Sequence, residues 1–502
     1  MAKNPVIVCN LRETAALGLA DFINECDRRL SEGDRLLSLF GRNGGEGDAA
    51  VAVTAVFVTE ADGLSVLRGA AKRGDACPAL TLKHPSAHIY ERELWEQTGV
   101  LPGGHPWLKP VRFEGARQQR MDEYPFFTVR GREVHEVGVG PIHAGVIEPG
   151  HFRFMCHGET VHHLEIQLGY QHRGVEKLLL QRPPRTLTPI VESICGDSCI
   201  AYAWSYLAAL EALAGTPAGF ETDVLRGIAL EMERIAIHVA TLNGLATDIA
   251  FVQGTGSYGR LRTAVINASQ RVSGNRFGRG WLRPWRTKGL TDALRQDVRQ
   301  TLADFATDLR RMNDLMRSAL SVKARFKGTG TVSNQAARDL GLFGVAARAS
   351  GVAIDSRSEL PGQLYERLPM APMVEPSGDC WARMLVRMRE IDASLDWLFG
   401  VLDDATLDLS GSAGTPVTPV IPVGADLALA PECLCVSVVE GVRGPVVLAL
   451  ETSVDGSLRH VKVQDPSLAN WFGLALAVRD NGISDFPICN KSFDLSYCGN
   501  DL

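Results

Sequence analysis

The sequence predicts an α+β protein, with a small α+β unit over residues 1–125 and a larger, mainly helical unit with peripheral β-sheets over residues 126–502. Three observations predict this. The chain has 502 residues, 45% hydrophobic and 22% charged, a globular composition long enough for more than one domain. Its patterning changes near residue 130, from mixed helix and strand signals to long helical runs. β-type segments then return after a Pro/Gly-rich stretch beyond Asp404.

In the first unit a helical pattern covers Thr14 to Leu30. Apolar β-type runs follow at RLLSLF and AVAVTAVFV, and a short helix is expected at LSVLRGAAKRG. The polar, basic stretch EGARQQRMDEYP reads as a linker, leading to strand-like material around Phe127 to Val139. In the second unit HFRFMC and TVHHLEIQLG read as strands. In ETDVLRGIALEMERIAIHVATLNGLATDIAF, residues Leu225, Ile228, Met232, Ile235, Val239 and Leu242 recur at spacings of three and four, one buried helix face. Glu231, Arg234 and His238 form a charged stripe on the same helix. It is either a solvated or ion-paired face, or one turned to a subunit interface or a buried polar channel. Further helices are expected at LTDALRQDVRQTLADFATDLRRMNDLMRSALS and CWARMLVRMREIDASLDWLFGVLD. Strands are expected at CLCVSVVEG, GPVVLALETS and LRHVKVQD, beyond the breaker SGSAGTPVTPVIPVG.

A net charge of −6 gives no basic excess to attract nucleic acid. No stretch approaches the ~20 apolar residues of a spanning helix, and MAKNPVIVCN lacks the apolar core of a signal peptide. The expectation is a soluble chain whose membrane link runs through partners. Eleven cysteines are scattered, as in a reducing compartment. Cys9, Cys26, Cys77, Cys156, Cys380 and Cys489 stand alone and read as buried small hydrophobes. Cys195 with Cys199, and Cys498, are the candidates for chemistry. His162 and His163 alternate across a strand and cannot both face one metal, so HGETVHH is not read as a zinc site. The spacing in CLC is too tight for a zinc knuckle. GTGSYG follows no strand and is not a nucleotide loop.

HPSAHIYERELWEQTGVLPGGHPWLKPVR resembles the 30-kDa-type subunit of complex I. VGPIHAGVIEPGHFRF, LGYQHRGVEKLLL, ESICGDSCIAYAWSYLAALEAL, ARASGVAIDSR, EGVRGPVVLALETS and DFPICNKSFDLSYCGNDL follow in the order of the complex I 49-kDa-type subunit and the large subunit of group 4 [NiFe] hydrogenases. A 30-kDa-like unit fused to a 49-kDa-like unit resembles the large subunit of formate-hydrogenlyase-type complexes, and the incomplete cysteine set resembles the energy-converting-hydrogenase-related group.

The resemblance implies a hydrogenase-large-subunit-like fold for the second unit. It also implies an oxidoreductase subunit of the NADH dehydrogenase or hydrogenase type in a membrane-associated complex. A small iron–sulfur subunit of the complex I 20-kDa type would hold a [4Fe-4S] cluster, and antiporter-like membrane subunits would complete the assembly. The place implied is cytoplasmic, peripheral on the inner face of the cell membrane. Alternatives are a catalytically silent scaffold and a true hydrogen-evolving enzyme with an altered nickel site.

The family's nickel–iron (Ni-Fe) centre uses two cysteine pairs. Here the metal candidates Cys195, Cys199 and Cys498 are an incomplete set. Three residues separate the first pair, Ser198 stands where its second cysteine would, and Ser496 and Gly499 occupy the second pair's positions. Cys195 and Cys199, at i and i+4, are expected to share a face. The family's quinone pocket is matched by His143 and Asp248, which would pair, but Gly196 replaces its tyrosine. Glu148 resembles a proton-relaying glutamate expected to be buried with a raised pKa. Arg443 resembles an arginine leaning over the metal site. Arg348, Asp355 and Arg357 resemble a charged cluster joining the cavity to the membrane arm. Glu91, Arg92, Glu93 and His105 read as packing and interface residues. The segment around Cys195 and the C-terminal residues near Cys498 are expected to meet, walled by Glu148 and Arg443.

Overall fold

A computed structural model describes residues 3–45, 47–114, 121, 123–143, 145, 147–411 and 427–502. Most of EGARQQRMDEYP and of the Pro/Gly-rich breaker lies outside the described residues. The alternating apolar runs of the N-terminal third build an antiparallel sheet of β2 (Arg35–Asn43), β3 (Ala50–Thr59) and β4 (Gly63–Lys72). One face carries α1 (Leu19–Ser31) through Phe22, Ile23 and Cys26, and α2 (His88–Thr98) closes the same core. The helix expected from Thr14 begins five residues later, because Leu17–Gly18 pairs with the edge of β4.

The expected helix at LSVLRGAAKRG is instead β4. Its alanines and leucines favour a helix locally, but ten consecutive residues pair with β3, and sheet context overrides propensity.

The second sheet joins distant parts of the chain. β1 (Val6–Asn10) lies antiparallel to β8 (Cys433–Gly441), which pairs with β9 (Gly444–Thr452) and then β10 (Leu458–Gln464). A third sheet holds β5 (Val134–Val139), β6 (His151–His157) and β7 (Thr160–Gln167). The central helices are α3 (Cys199–Leu213), α4 (Phe220–Asp248), α5 (Val252–Ser273), α6 (Asp292–Ser318) and α7 (Cys380–Asp403). α5 runs through the GTGSYG glycines. Asp379 starts α7 by accepting the Ala382 amide at 2.8 Å, an N-cap. α3 is apolar all round, as befits a helix enclosed on every side. Three short C-terminal helices follow: α8 (Ser467–Ala477), α9 (Phe486–Phe493) and α10 (Tyr497–Asp501).

α4 carries its predicted apolar face, but Glu231, Arg234 and His238 are also buried. The stripe is therefore ion-paired inside the protein, not solvated. No helix among the described residues is long and apolar enough to cross a membrane.

Gly344 shows how tightly the parts interlock. Its φ is +56°, and a Cβ there would lie 2.1 Å from the Arg443 carbonyl oxygen. Gly344→Ala is therefore expected to destabilise the fold by about 2 kcal/mol and to shift the Arg443 turn. A thermal unfolding midpoint equal to wild type would contradict this.

Candidate functional site

Three segments converge beside α3. The first is the Cys195-Gly-Asp-Ser turn preceding the helix. The second is the β8–β9 hairpin, whose two-residue loop places Arg443 at its tip, between the paired Gly441 and Gly444. The third is the chain from Asp494 to Cys498, linking α9 to α10. Asp494 closes α9 at φ 55°. The Ser496 Oγ accepts the Gly499 amide at 2.9 Å and so caps α10.

Cys195 Sγ lies 3.2 Å from Ser496 Oγ, which lies 3.5 Å from Cys498 Sγ. Cys195 also donates to Asp197 at 3.0 Å. Arg443 binds both Asp197 oxygens at 2.9 and 2.8 Å, donates to Ser198 Oγ at 3.2 Å and to the Asp494 carbonyl, and approaches Cys195 Sγ to 3.9 Å. The two motif thiols therefore meet through Ser496. The two thiols also interact directly: Cys195 beside Cys498 lowers the Cys498 pKa, and the same contact, with burial, pushes Cys195 well up. Cys498 is thus the first of the pair to ionise. Glu148 is half-buried, not buried as expected, and it bonds to Cys498, opposing that ionisation. Tyr202 donates to Asp465 beneath the thiols.

Cys199 does not join them. Its thiol faces the Gly196 carbonyl at 3.2 Å. The shared-face expectation fails because α3 begins only at Cys199, so helical periodicity does not reach Cys195. Two thiols and one capping hydroxyl do not fit a four-thiolate nickel–iron centre, which needs soft donors. Among the described residues no group of three or more His, Cys, Asp or Glu is set to hold a metal ion.

His143 and Asp248 are not brought together. His143 Nε2 meets the Gly150 carbonyl at 2.8 Å, whereas Asp248 is exposed at the end of α4, with Lys491 as its neighbouring cation. Arg348 and Asp355, matched to the charged cluster, are held in buried ion pairs. Arg348 binds Glu390 at 2.7 Å, Glu440 at 2.9 Å and Asp355 at 3.4 Å. Arg357 joins Asp355 to Glu231, which Arg234 also binds.

From Glu390 a polar chain returns to the thiols. Glu390 bonds His238 at 2.7 Å, and His238 Nδ1 lies 3.1 Å from Arg387. Arg387 holds the Ser492 and Phe493 carbonyls, next to Asp494 and Arg443. Burial and the Arg387 charge lower the His238 pKa to about 4. It is therefore neutral, with Nε2–H donating to Glu390 and Nδ1 accepting.

Sequence reasoning missed Asp197, Asp494, Glu390, Glu440 and Glu233. Asp197 and Asp494 stand inside the cysteine motifs, and that position was the available signal. Glu233 accepts the Ile200 and Ala201 amides at 2.7 and 3.3 Å at the start of α3, and burial pushes its pKa up to about 8.

The chain is similar to several known proteins. The family model described as the 49-kDa subunit of respiratory-chain NADH dehydrogenase matches residues 249–408. Formate hydrogenlyase subunit 5 of Escherichia coli is 27% identical over 84% of this chain and 76% of its own length. The NADH-quinone oxidoreductase C/D subunit of Bacteroides thetaiotaomicron is 25% identical, over 74% of each chain. A chain of an archaeal respiratory complex, the membrane-bound sulfane sulfur reductase, superposes with a TM-score of 0.69 at 22% identity, over 76% of this chain and all of that one. The relatives match this chain well beyond the 49-kDa segment. The chain is similar to the large subunits shared by complex I, of the 49-kDa type, and the group 4 [NiFe] hydrogenases, and these relatives are oxidoreductase subunits.

Proposed function

We propose that this chain is the large subunit of a membrane-associated, energy-converting oxidoreductase complex. In it, electron transfer from a partner subunit's iron–sulfur cluster is coupled to proton or ion movement. The observation that carries this reading is the buried polar chain described above. It leads from Glu148 and the Cys195/Cys498 pair through Arg443, Asp494, Arg387, His238, Glu390 and Arg348 to Asp355, Arg357 and Glu231. Charges at such density in a low-dielectric interior respond strongly to a new charge at one end. An acceptor of the quinone class reduced beside Cys498 would take up a proton with each electron, and Glu148 is the carboxyl placed to deliver it.

The relatives' membership of membrane-bound complexes supports a peripheral position on the inner face of the membrane, held by partners. We assign residues 1–125 to docking and residues 126–502 to the redox site. A silent scaffold is the second reading, favoured by Cys199 facing away from the other thiols.

In the purified complex, with reduced viologen as donor and a short-chain quinone as acceptor, Glu148→Gln is expected to slow turnover and proton uptake together by about a hundredfold. Normal turnover in that variant would remove Glu148 from the path and favour the scaffold.

A further inference from the structure

The donor set that does not fit nickel and iron leaves a pair of thiols, and such a pair has a chemistry of its own. Cys195 is buried and Cys498 half-buried. Both sulfurs rest on Ser496 Oγ, at 3.2 and 3.5 Å, and they also touch each other. The backbone holds them side by side. One guanidinium nitrogen of Arg173 binds the Ile194 carbonyl at 2.8 Å and the Cys498 carbonyl at 3.2 Å, so it clamps the two chain segments together. Close approach of two cysteine backbones is the condition for an S–S bond.

Each sulfur has its own carboxylate. Cys195 donates to Asp197 at 3.0 Å, and Glu148 bonds to Cys498. Two thiol protons therefore have two places to go. Arg443 stands 3.9 Å from Cys195 Sγ, a fixed positive charge of the kind that favours a thiolate. An accessible thiol backed by a buried one suits thiol–disulfide exchange, in which the outer sulfur attacks and the inner one resolves the mixed disulfide. Cys380 and Cys489 also touch, but both are fully buried, so neither can play the outer part.

We infer that Cys195 and Cys498 form a redox-active dithiol–disulfide couple that gathers two electrons and two protons for the acceptor. This rests on the reading of the chain as an electron-receiving subunit. In the oxidised state the S–S bond takes two electrons, one at a time, from the partner's iron–sulfur cluster and breaks. One proton reaches Cys498 by way of Glu148 and one reaches Cys195 by way of Asp197. The dithiol then reduces an acceptor of the quinone class. Both S–H bonds break, two electrons and two protons pass to the two quinone oxygens, and the S–S bond re-forms. The couple thus matches a one-electron donor to a two-electron acceptor.

The test begins with the reduced full-length chain and glutathione disulfide as oxidant. Peptide mass spectrometry should find Cys195 bridged to Cys498. In Cys195→Ser, which lacks the resolving thiol, glutathione should stay attached to Cys498. In Cys498→Ser, the buried Cys195 should take up glutathione about tenfold less, or lower still. In the purified complex, reduced viologen should reopen the bridge about tenfold faster than in the isolated chain, and a short-chain quinone added once the donor is removed should restore it. The inference is overturned by the absence of a bridge, by glutathione left unresolved on Cys498 of the wild type, or by full quinone turnover in a Cys195→Ser complex. Each of these leaves the result for Glu148→Gln standing. A bridge that forms in the isolated chain but stays oxidised in the complex under reduced viologen defeats the electron-receiving reading, and the inference with it.

Discussion

Arg348→Ala is expected to destabilise the protein by about 3–5 kcal/mol, as breaking a buried ion pair does. Arg348 is fully buried and is the shared counter-ion of Glu390, Glu440 and Asp355. Asp355 would keep Arg357, and Glu390 would keep its bond to His238. Glu440 would keep only the Ser356 amide, at 3.1 Å. Its pKa is already raised by burial and by Asp355, so it would take up a proton in the variant. Adding Glu440→Gln to Arg348→Ala should therefore recover part of the loss. Denaturant titration of the two single variants and the double variant measures the coupling. A loss under about 1 kcal/mol for Arg348→Ala would mean that the cluster does not hold the fold in the manner of a buried ion network.

Glu233→Gln is expected to remove a pH dependence, not to lower stability at neutral pH. The folded-state pKa of Glu233 is about 8, against 4.5 as the ordinary value. Below pH 4.5 the carboxyl is protonated in both states and carries no penalty. Above 4.5 the unfolded chain loses the proton while the folded protein keeps it, so unfolding gains steadily until the folded group ionises near 8. The difference of 3.5 units corresponds to about 5 kcal/mol at most. Wild type should lose stability relative to Glu233→Gln across that window and run parallel to it outside. Parallel curves from pH 4 to 9 would show that Glu233 is ionised in the fold, held by the two α3 amides.

The long helices were legible because apolar spacing is a local property. The apolar face of α4 needs only its own residues to be seen. The burial of its charged stripe does not, since the partners of Glu231, Arg234 and His238 come from residues 357, 390 and 440–441. A charge that is solvated and one that is paired in the core look the same along the chain. β4 was misread for a related reason, its strand state being imposed by β3.

At the site, motif order brought Cys195, Cys498, Glu148 and Arg443 into one reading, and the structure brings those four together. The direction of Cys199 was not legible, because it depends on where α3 starts. Cys380 and Cys489, read as solitary, are free thiols that share a hydrogen bond between α7 and α9, a contact set by the packing of two helices far apart in the chain.

The pairing of β1 with β8 has a consequence for how the polypeptide comes to be folded. Residues 6–10 leave the ribosome long before the strand they join, which is made only at residues 433–441. More than four hundred residues must be synthesised before that sheet acquires its outer member. Until then β1 remains an unsatisfied edge, prone to stray pairing, and closure over so long a separation is slow. Biogenesis therefore has a built-in checkpoint: the N-terminal segment locks down only after the strand at residues 433–441 has arrived.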